Sequence, residues 1–141
     1  MRTESYMRPT ILLAEDEDVY RHLIAAVLRK EGYDILIAKN GREALERAKR
    51  CGRRIHLLLT DVTMPEVDGR DLAKYLQATW SNLRVIIMSA RPAATLRLEQ
   101  GWTFLGKPFV PNALIRRIRE ALPSLPNKTM AGDSYLPIAR R

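Results

Sequence analysis

From Thr10 to Leu122 short, unbroken apolar runs alternate with segments whose apolar residues recur at helical spacing. Unbroken runs are typical of strands covered on both faces of a parallel sheet, and the segments between them of amphipathic helices. Thr10 to Ala14 reads as a first strand. Glu17 and Asp18 are expected to cap a helix with Val19, Leu23, Ala26 and Val27 facing inward and its end at Gly32. Asp34 to Ala38 is a second strand, and Asn40-Gly41 turns the chain into a helix from Arg42 to about Arg50, with Ala44, Leu45 and Ala48 inward. Ile55 to Thr60 reads as a third strand, Gly69 to Thr79 as a helix burying Leu72, Ala73 and Leu76, and Arg84 to Ser89 as a fourth strand. The pattern then weakens: Pro92 to Gln100 has room for barely two helical turns before Gly101. Trp102 to Leu105 is the fifth strand, and Asn112 is expected to cap a last helix that turns Leu114, Ile118 and Leu122 inward and stops at Pro123.

Strand and helix in repeated succession predict an α/β domain, a (βα)5 doubly wound five-stranded parallel sheet with a short or irregular fourth helix. The expected organisation is an N-terminal extension (1–9), one folded domain (10–122) and a C-terminal tail (123–141) with Pro126, Pro137 and no periodicity, read as flexible. With one cysteine, Cys51, the 141 residues offer no internal disulfide, which fits a reducing compartment. No stretch is long and apolar enough for a membrane span, and Met1 to Pro9 lacks the apolar centre of a signal peptide, so the reading is cytoplasmic with no membrane partner. The formal charge of +8 raises the question of nucleic acid. Of 24 basic and 16 acidic residues, segments 1–8 and 123–141 hold five and two, which leaves 19 against 14 in the domain. The excess is spread out, and its densest patch, Arg47 to Arg54, closes a helix whose dipole favours cations, so no direct nucleic-acid binding is expected.

Ligand sites in such sheets lie beyond the carboxyl ends of the strands. There the first strand presents Glu15-Asp16, the third Asp61, the fourth Ser89 and the fifth Lys107. Alone, Asp61 reads equally well as a turn residue before Met64-Pro65 and Asp68-Gly69; the other strand ends make it part of a cluster. Three neighbouring carboxylates cannot all stay ionised without a cation, and hard oxygen ligands suit Mg²⁺. Glu17 and Asp18 fit a helix cap better than a metal shell. His22 and His56 fall away from this end, and Trp80 and Trp102 read as packing.

The runs Ile11-Leu12-Leu13-Ala14-Glu15-Asp16-Glu17, Asp61 with Met64-Pro65 and Asp68-Gly69, Ser89-Ala90, and Phe104-Leu105-Gly106-Lys107-Pro108-Phe109 together resemble the receiver domain of two-component response regulators. The resemblance implies the flavodoxin-like receiver fold with strand order 2-1-3-4-5. It implies Asp61 as phosphoacceptor, taking a phosphoryl group from the phosphohistidine of a histidine kinase or histidine phosphotransfer protein. Mg²⁺, or Mn²⁺ in its place, would be held by Asp16, Asp61, the Thr63 main-chain carbonyl and, through water, Glu15. Lys107, the Ser89 hydroxyl and the Ala90 backbone N–H would take the remaining phosphoryl charge. Ser89 and Phe104 would form the switch, and Thr63 and Arg91 would tune phosphate lifetime. The protein would be a phosphoprotein acting through protein–protein contact with an unknown downstream protein, not a turnover enzyme, and a monomer or weak homodimer. The interval from Ser89 to Lys107 is about one helical turn shorter than the pattern, which puts the fourth helix and dimerisation through it in doubt. The tail after Pro123 is too short for a helix-turn-helix module, so a stand-alone receiver is expected. Two alternatives remain: a receiver-like interaction module acting without phosphorylation, and an aspartate-nucleophile phosphotransferase. Against the latter, haloacid-dehalogenase-type enzymes need a second Asp where Thr63 stands. A flavin-type phosphate cradle is disfavoured by the acidic first loop.

Overall fold

The computed structural model describes residues 8–122, so the expectations for the two termini lie outside the described residues. Five strands, β1 (Thr10–Ala14), β2 (Asp34–Ala38), β3 (Leu57–Asp61), β4 (Arg84–Ser89) and β5 (Thr103–Gly106), pair in parallel in the order β2-β1-β3-β4-β5. Four helices connect or follow them: α1 (Asp18–Lys30), α2 (Gly41–Arg50), α3 (Gly69–Thr79) and α4 (Pro111–Ala121). Between β4 and β5 there is no α-helix. A single 3₁₀ turn, Ala93–Thr95, takes its place, because Pro92 and the short span leave no room for a second turn.

Alternate residues of the apolar strands feed two cores. Leu12, Ala14, Leu58 and Ile87 pack with α2 and α3, whereas Ile11, Leu13, Leu59 and Ile86 pack with α1 and α4. On the first face Leu96, Leu98 and Trp102 from the β4–β5 connection cover what a helix would otherwise cover. Trp102 Nε1 donates to Gln77 Oε1 at 3.0 Å, and Trp80 packs on the same face, so both tryptophans are structural.

Several local expectations are corrected. The buried stripe of α1 is Ile24, Ala25 and Leu28, not Val19, Leu23 and Ala26, which face out, while Val27 is half-buried. Two apolar stripes share that helix at equivalent spacing, and the sheet takes the one with Tyr20, Ile24 and Leu28. Glu17 occupies the N-cap of α1 without a side-chain cap bond, and Asp18 instead pairs with Arg21. Val110 is the N-cap of α4, and Asn112 makes no cap, since Pro111 already supplies the preset first helical residue. By contrast Asn40 and Asp68 do cap α2 and α3, accepting from Glu43 N and Asp71 N. β3 starts later than expected and includes Asp61, and β5 is shifted by one residue to Thr103–Gly106. His56, just before β3, continues the ladder: its N–H donates to Thr10 O, and its Nδ1 accepts from Thr10 N at 3.0 Å.

Candidate functional site at the strand ends

Register decides which side chains meet. Ala14 pairs with Thr60, Asp61 with Met88 and Ser89 with Gly106, so the residues after β1, β3, β4 and β5 emerge at one edge of the sheet. Glu15 is wholly buried there. Its Oε1 accepts from Lys107 Nζ at 2.7 Å and its Oε2 from Glu17 N at 3.1 Å. Lys107 Nζ also lies 3.5 Å from Asp61 Oδ2 and 4.4 Å from the centre of the Tyr20 ring. That ring stacks obliquely against Phe109, with centroids 5.7 Å apart, fixing α1 against the loop after β5. The Lys107–Pro108 peptide is cis.

One carboxylate oxygen each from Glu15, Asp16 and Asp61 lie within 4.8 Å of one another, and a single ammonium faces them. The charge is unbalanced, and the Asp61 carboxyl shows it: burial first, then the Glu15 charge, push its pKa up to about 6, with Asp16 adding and Lys107 opposing. Lys107 behaves differently. Burial works against its ammonium, but the hydrogen bond to Glu15 and the charge of Asp61 outweigh it and raise its pKa. The asymmetry follows from distance, because Glu15 holds the shorter bond and Asp61 receives only part of the lysine's charge. Each Glu15 oxygen already accepts one hydrogen bond, and Glu15, Asp16 and Asp61 each still offer an oxygen toward the common centre. A divalent ion of the hard, oxygen-seeking kind fits this donor set.

The β3–α3 loop is pinned below Asp61. Gly69 N donates to Val62 O at 2.9 Å, and a Cβ built on Gly69 would overlap the Asp61 carbonyl oxygen, so only glycine allows α3 to start this close to the strand end. On the other side, Lys107 N donates to Ser89 O at 2.8 Å, and Ser89 Oγ accepts from Arg91 N at 2.9 Å. Ser89 is buried and Ala90 exposed. Phe104 is half-buried against the first core. Its Cε2 atom would lie 3.3 Å from a Cβ on Gly106, the register partner of Ser89, so the missing side chain at Gly106 leaves room for the ring. Thr63 and Arg91 line one open groove beside the site.

Glu15, Asp16, Asp61 and Lys107 are therefore brought together as the sequence suggested, with Ser89 one strand away. Sequence reasoning gave no part in the site to Tyr20, whose ring lies under the lysine, to Phe109, whose ring packs on Tyr20, or to Arg21, whose Nη1 donates to Glu15 O at 3.0 Å. Their contacts are tertiary and leave no spacing signal. His22 and His56 take no part in the cluster; burial, then the charge of Arg54, lowers the His56 pKa.

The model of the family described as "Response regulator receiver domain" matches residues 11–119. The chain is 36% identical over 120 residues to the transcriptional regulatory protein CssR of Bacillus subtilis, covering 82% of this chain and 52% of that protein. It is 34% identical over 117 residues to the sensor kinase CckA of Brucella abortus, covering 80% of this chain and 12% of the kinase. The chain thus spans at most about half the length of these curated relatives. Among solved structures, the receiver domain of the hybrid histidine kinase CckA superposes with a TM-score of 0.70 at 37% identity, covering 80% of this chain and 98% of that one. The chemotaxis response regulator CheY4 of Vibrio cholerae shares the fold, with a TM-score of 0.74 at 22% identity over 82% of this chain and 99% of that one. From sequence match and superposition alike, the chain belongs to the response regulator receiver domain family.

Proposed function

We propose that this domain, residues 10–122, takes a phosphoryl group from a phosphohistidine onto Asp61 and passes the event on through protein–protein contacts. The observation that carries the reading is the Glu15–Lys107–Asp61 arrangement, with Lys107 Nζ 2.7 Å from Glu15 and 3.5 Å from Asp61. Glu15 fixes the ammonium, and the longer contact leaves it able to turn to a phosphoryl oxygen bonded to Asp61. An Asp61 carboxylate oxygen attacks phosphorus, the O–P bond forms as the P–N bond breaks, and the imidazole nitrogen keeps the electron pair. A carboxylate is a weak nucleophile, so the domain's part is positioning and charge neutralisation.

Mg²⁺, held by Asp16, Asp61 and the Thr63 carbonyl with Glu15 behind them, would supply the positive charge that Lys107 alone does not. The Ser89 hydroxyl and Ala90 N–H stand on the other flank as partners for a phosphoryl oxygen. Ser89 moving toward it would change the space beside the Phe104 ring, the switch of this reading. Val19 and Val110 are 73% and 63% exposed. They flank the Tyr20–Phe109 contact next to Lys107 and, with half-exposed Leu23, offer apolar surface to the histidine-bearing donor.

Incubation with a small acyl phosphate and Mg²⁺, followed by intact mass, tests the reading. Wild type gains one phosphoryl group and loses that ability in EDTA, whereas Asp61→Asn gains none; a wild type that gains none contradicts it. Thr63 and Arg91 border the approach to Asp61, so Thr63→Ala and Arg91→Ala should alter the decay of the phosphorylated form. Unchanged decay would remove them from that role.

A further inference from the structure

The Lys107 ammonium carries three N–H donors and has three neighbours. Glu15 Oε1 lies 2.7 Å from Nζ and Asp61 Oδ2 3.5 Å; the third neighbour is the face of the Tyr20 ring, whose centre is 4.4 Å away. The lysine side chain is 11% exposed, so this contact is largely shielded from water. A second pair of the same kind, Lys49 over Tyr75, is longer at 5.7 Å and joins exposed residues of α2 and α3, where such contacts are weak. Tyr20 projects from α1, and Phe109, in the loop after β5, braces its ring at 5.7 Å between centroids. The Tyr20 hydroxyl makes no hydrogen bond among the described residues, so what α1 brings to the lysine here is the ring face.

The neighbours differ in what they do to the ammonium. Glu15, wholly buried, holds it by a short charged hydrogen bond directed at one oxygen. An aromatic face attracts a cation through its quadrupole, with no net charge and no single acceptor atom. The ammonium can therefore slide across the ring and keep the attraction, and none of its charge is cancelled. A further carboxylate in that place would cancel charge that phosphoryl oxygens need, and an aliphatic side chain would give no hold. We propose that Tyr20 is a positioning residue for phosphoryl transfer, its ring carrying the Lys107 ammonium as it turns from Glu15 to a phosphoryl oxygen on Asp61. The proposal rests on the phosphoacceptor reading. With Asp61 Oδ2 already 3.5 Å from Nζ, a small turn brings the ammonium to an oxygen bonded there, and the Phe109 contact holds the ring still meanwhile.

The test compares the rate of phosphoryl uptake from a small acyl phosphate with Mg²⁺, read by intact mass, in the full chain and its variants. So small a donor needs no docking face, which keeps partner contacts of α1 out of the measurement. Tyr20→Leu should slow uptake by about fivefold or more, whereas Tyr20→Phe, which keeps the face, should stay within about twofold of wild type. Tyr75→Leu, which removes the exposed pair, should also stay within about twofold. In a Lys107→Ala background Tyr20→Leu should cost less than about twofold, because the group it positions is gone. Equal losses in both backgrounds, no loss in either, or Tyr20→Phe as slow as Tyr20→Leu would overturn the proposal and leave the phosphoacceptor reading standing. A second readout needs neither phosphoryl transfer nor the Lys107→Ala fold. In the NMR spectrum of protein with isotope-labelled lysine in EDTA, the ε-methylene proton signal of Lys107, assigned by its absence from Lys107→Arg, should lie upfield of the other lysines, shielded by the ring. It should stay there in Tyr20→Phe, rejoin the others in Tyr20→Leu, and remain upfield once Asp61 is loaded. An unshifted signal in wild type, or a shift lost on loading, overturns the proposal whatever the rates. A wild type that gains no mass defeats the phosphoacceptor reading and the transfer role of Tyr20 together.

Discussion

At the ends of β1, β3 and β5, Glu15, Asp61 and Lys107 are held in one hydrogen-bonded cluster, with Glu15 wholly buried; one strand away, between β4 and β5, Arg91 to Gly101 makes a single 3₁₀ turn and exposes most of its side chains. The first region is bounded by charge: a buried carboxylate without its ammonium is so unfavourable that the partners have one workable arrangement. The second is bounded only by the need to cover apolar surface, which Leu96, Leu98 and Trp102 do without a helix. A cluster held by buried charge tolerates little change, whereas a surface that only covers apolar residues can be built from a short irregular segment.

The contrast predicts variants that damage one region and spare the other. Lys107→Ala should have the largest effect. It should reduce phosphoryl uptake by about a hundredfold, as loss of a preorganised charge does, and leave Glu15 buried without a counter-charge, costing about 3 kcal/mol in urea melts run with EDTA. Uptake within a few-fold of wild type would break the comparison on its chemical side. Gly69→Ala comes next: relieving the overlap with the Asp61 carbonyl oxygen should cost about 2–4 kcal/mol and disturb Asp61 as well. In the second region Leu96→Ala should cost about 2–3 kcal/mol as a buried truncation, yet leave the initial rate of phosphoryl uptake within about twofold. Trp102→Phe, which removes the bond to Gln77, should cost about 1 kcal/mol with the same indifference. If either variant lowers uptake as far as Lys107→Ala, the two regions are not separable.

The smallest effect concerns His56, outside both regions. Its pKa is lowered on folding by burial and by Arg54, so the folded chain resists a proton that the unfolded chain accepts near pH 6.5. Its contribution is present above that pH and is lost as pH falls through the lowered folded value. His56→Asn keeps an acceptor for Thr10 N but cannot titrate, so its melting temperature should fall less steeply than wild type between pH 7.5 and 5.5.

Much of this was legible in the residues. Unbroken runs such as Leu57 to Leu59 announced buried parallel strands, and polar residues directly after them announced the cluster, because a strand end fixes where its next side chain emerges. The turn into α2 at Asn40-Gly41, the start of α3 at Gly69 and the weakness of the Pro92–Gln100 segment were equally local. What failed were choices that only packing settles. Two apolar stripes on α1 have the same spacing, and nothing in the chain says that the sheet takes Ile24 and Leu28 and leaves Val19 and Leu23 outside. The shift of the last cap from Asn112 to Val110 came from Pro111, whose fixed backbone outweighs a capping side chain one residue later. The Tyr20 ring beside Lys107 joins positions far apart in the chain, which no periodicity connects.

The central claim is that Asp61 carries the phosphoryl group. Borohydride reduces an acyl phosphate to an alcohol, converting a phosphorylated aspartate into homoserine and marking the position covalently. Wild type treated with a small acyl phosphate and Mg²⁺, reduced and digested, should yield homoserine at residue 61 and at no other aspartate. Homoserine at Asp16 or Asp68 instead, or at no position while intact mass records the added phosphate, would contradict the account.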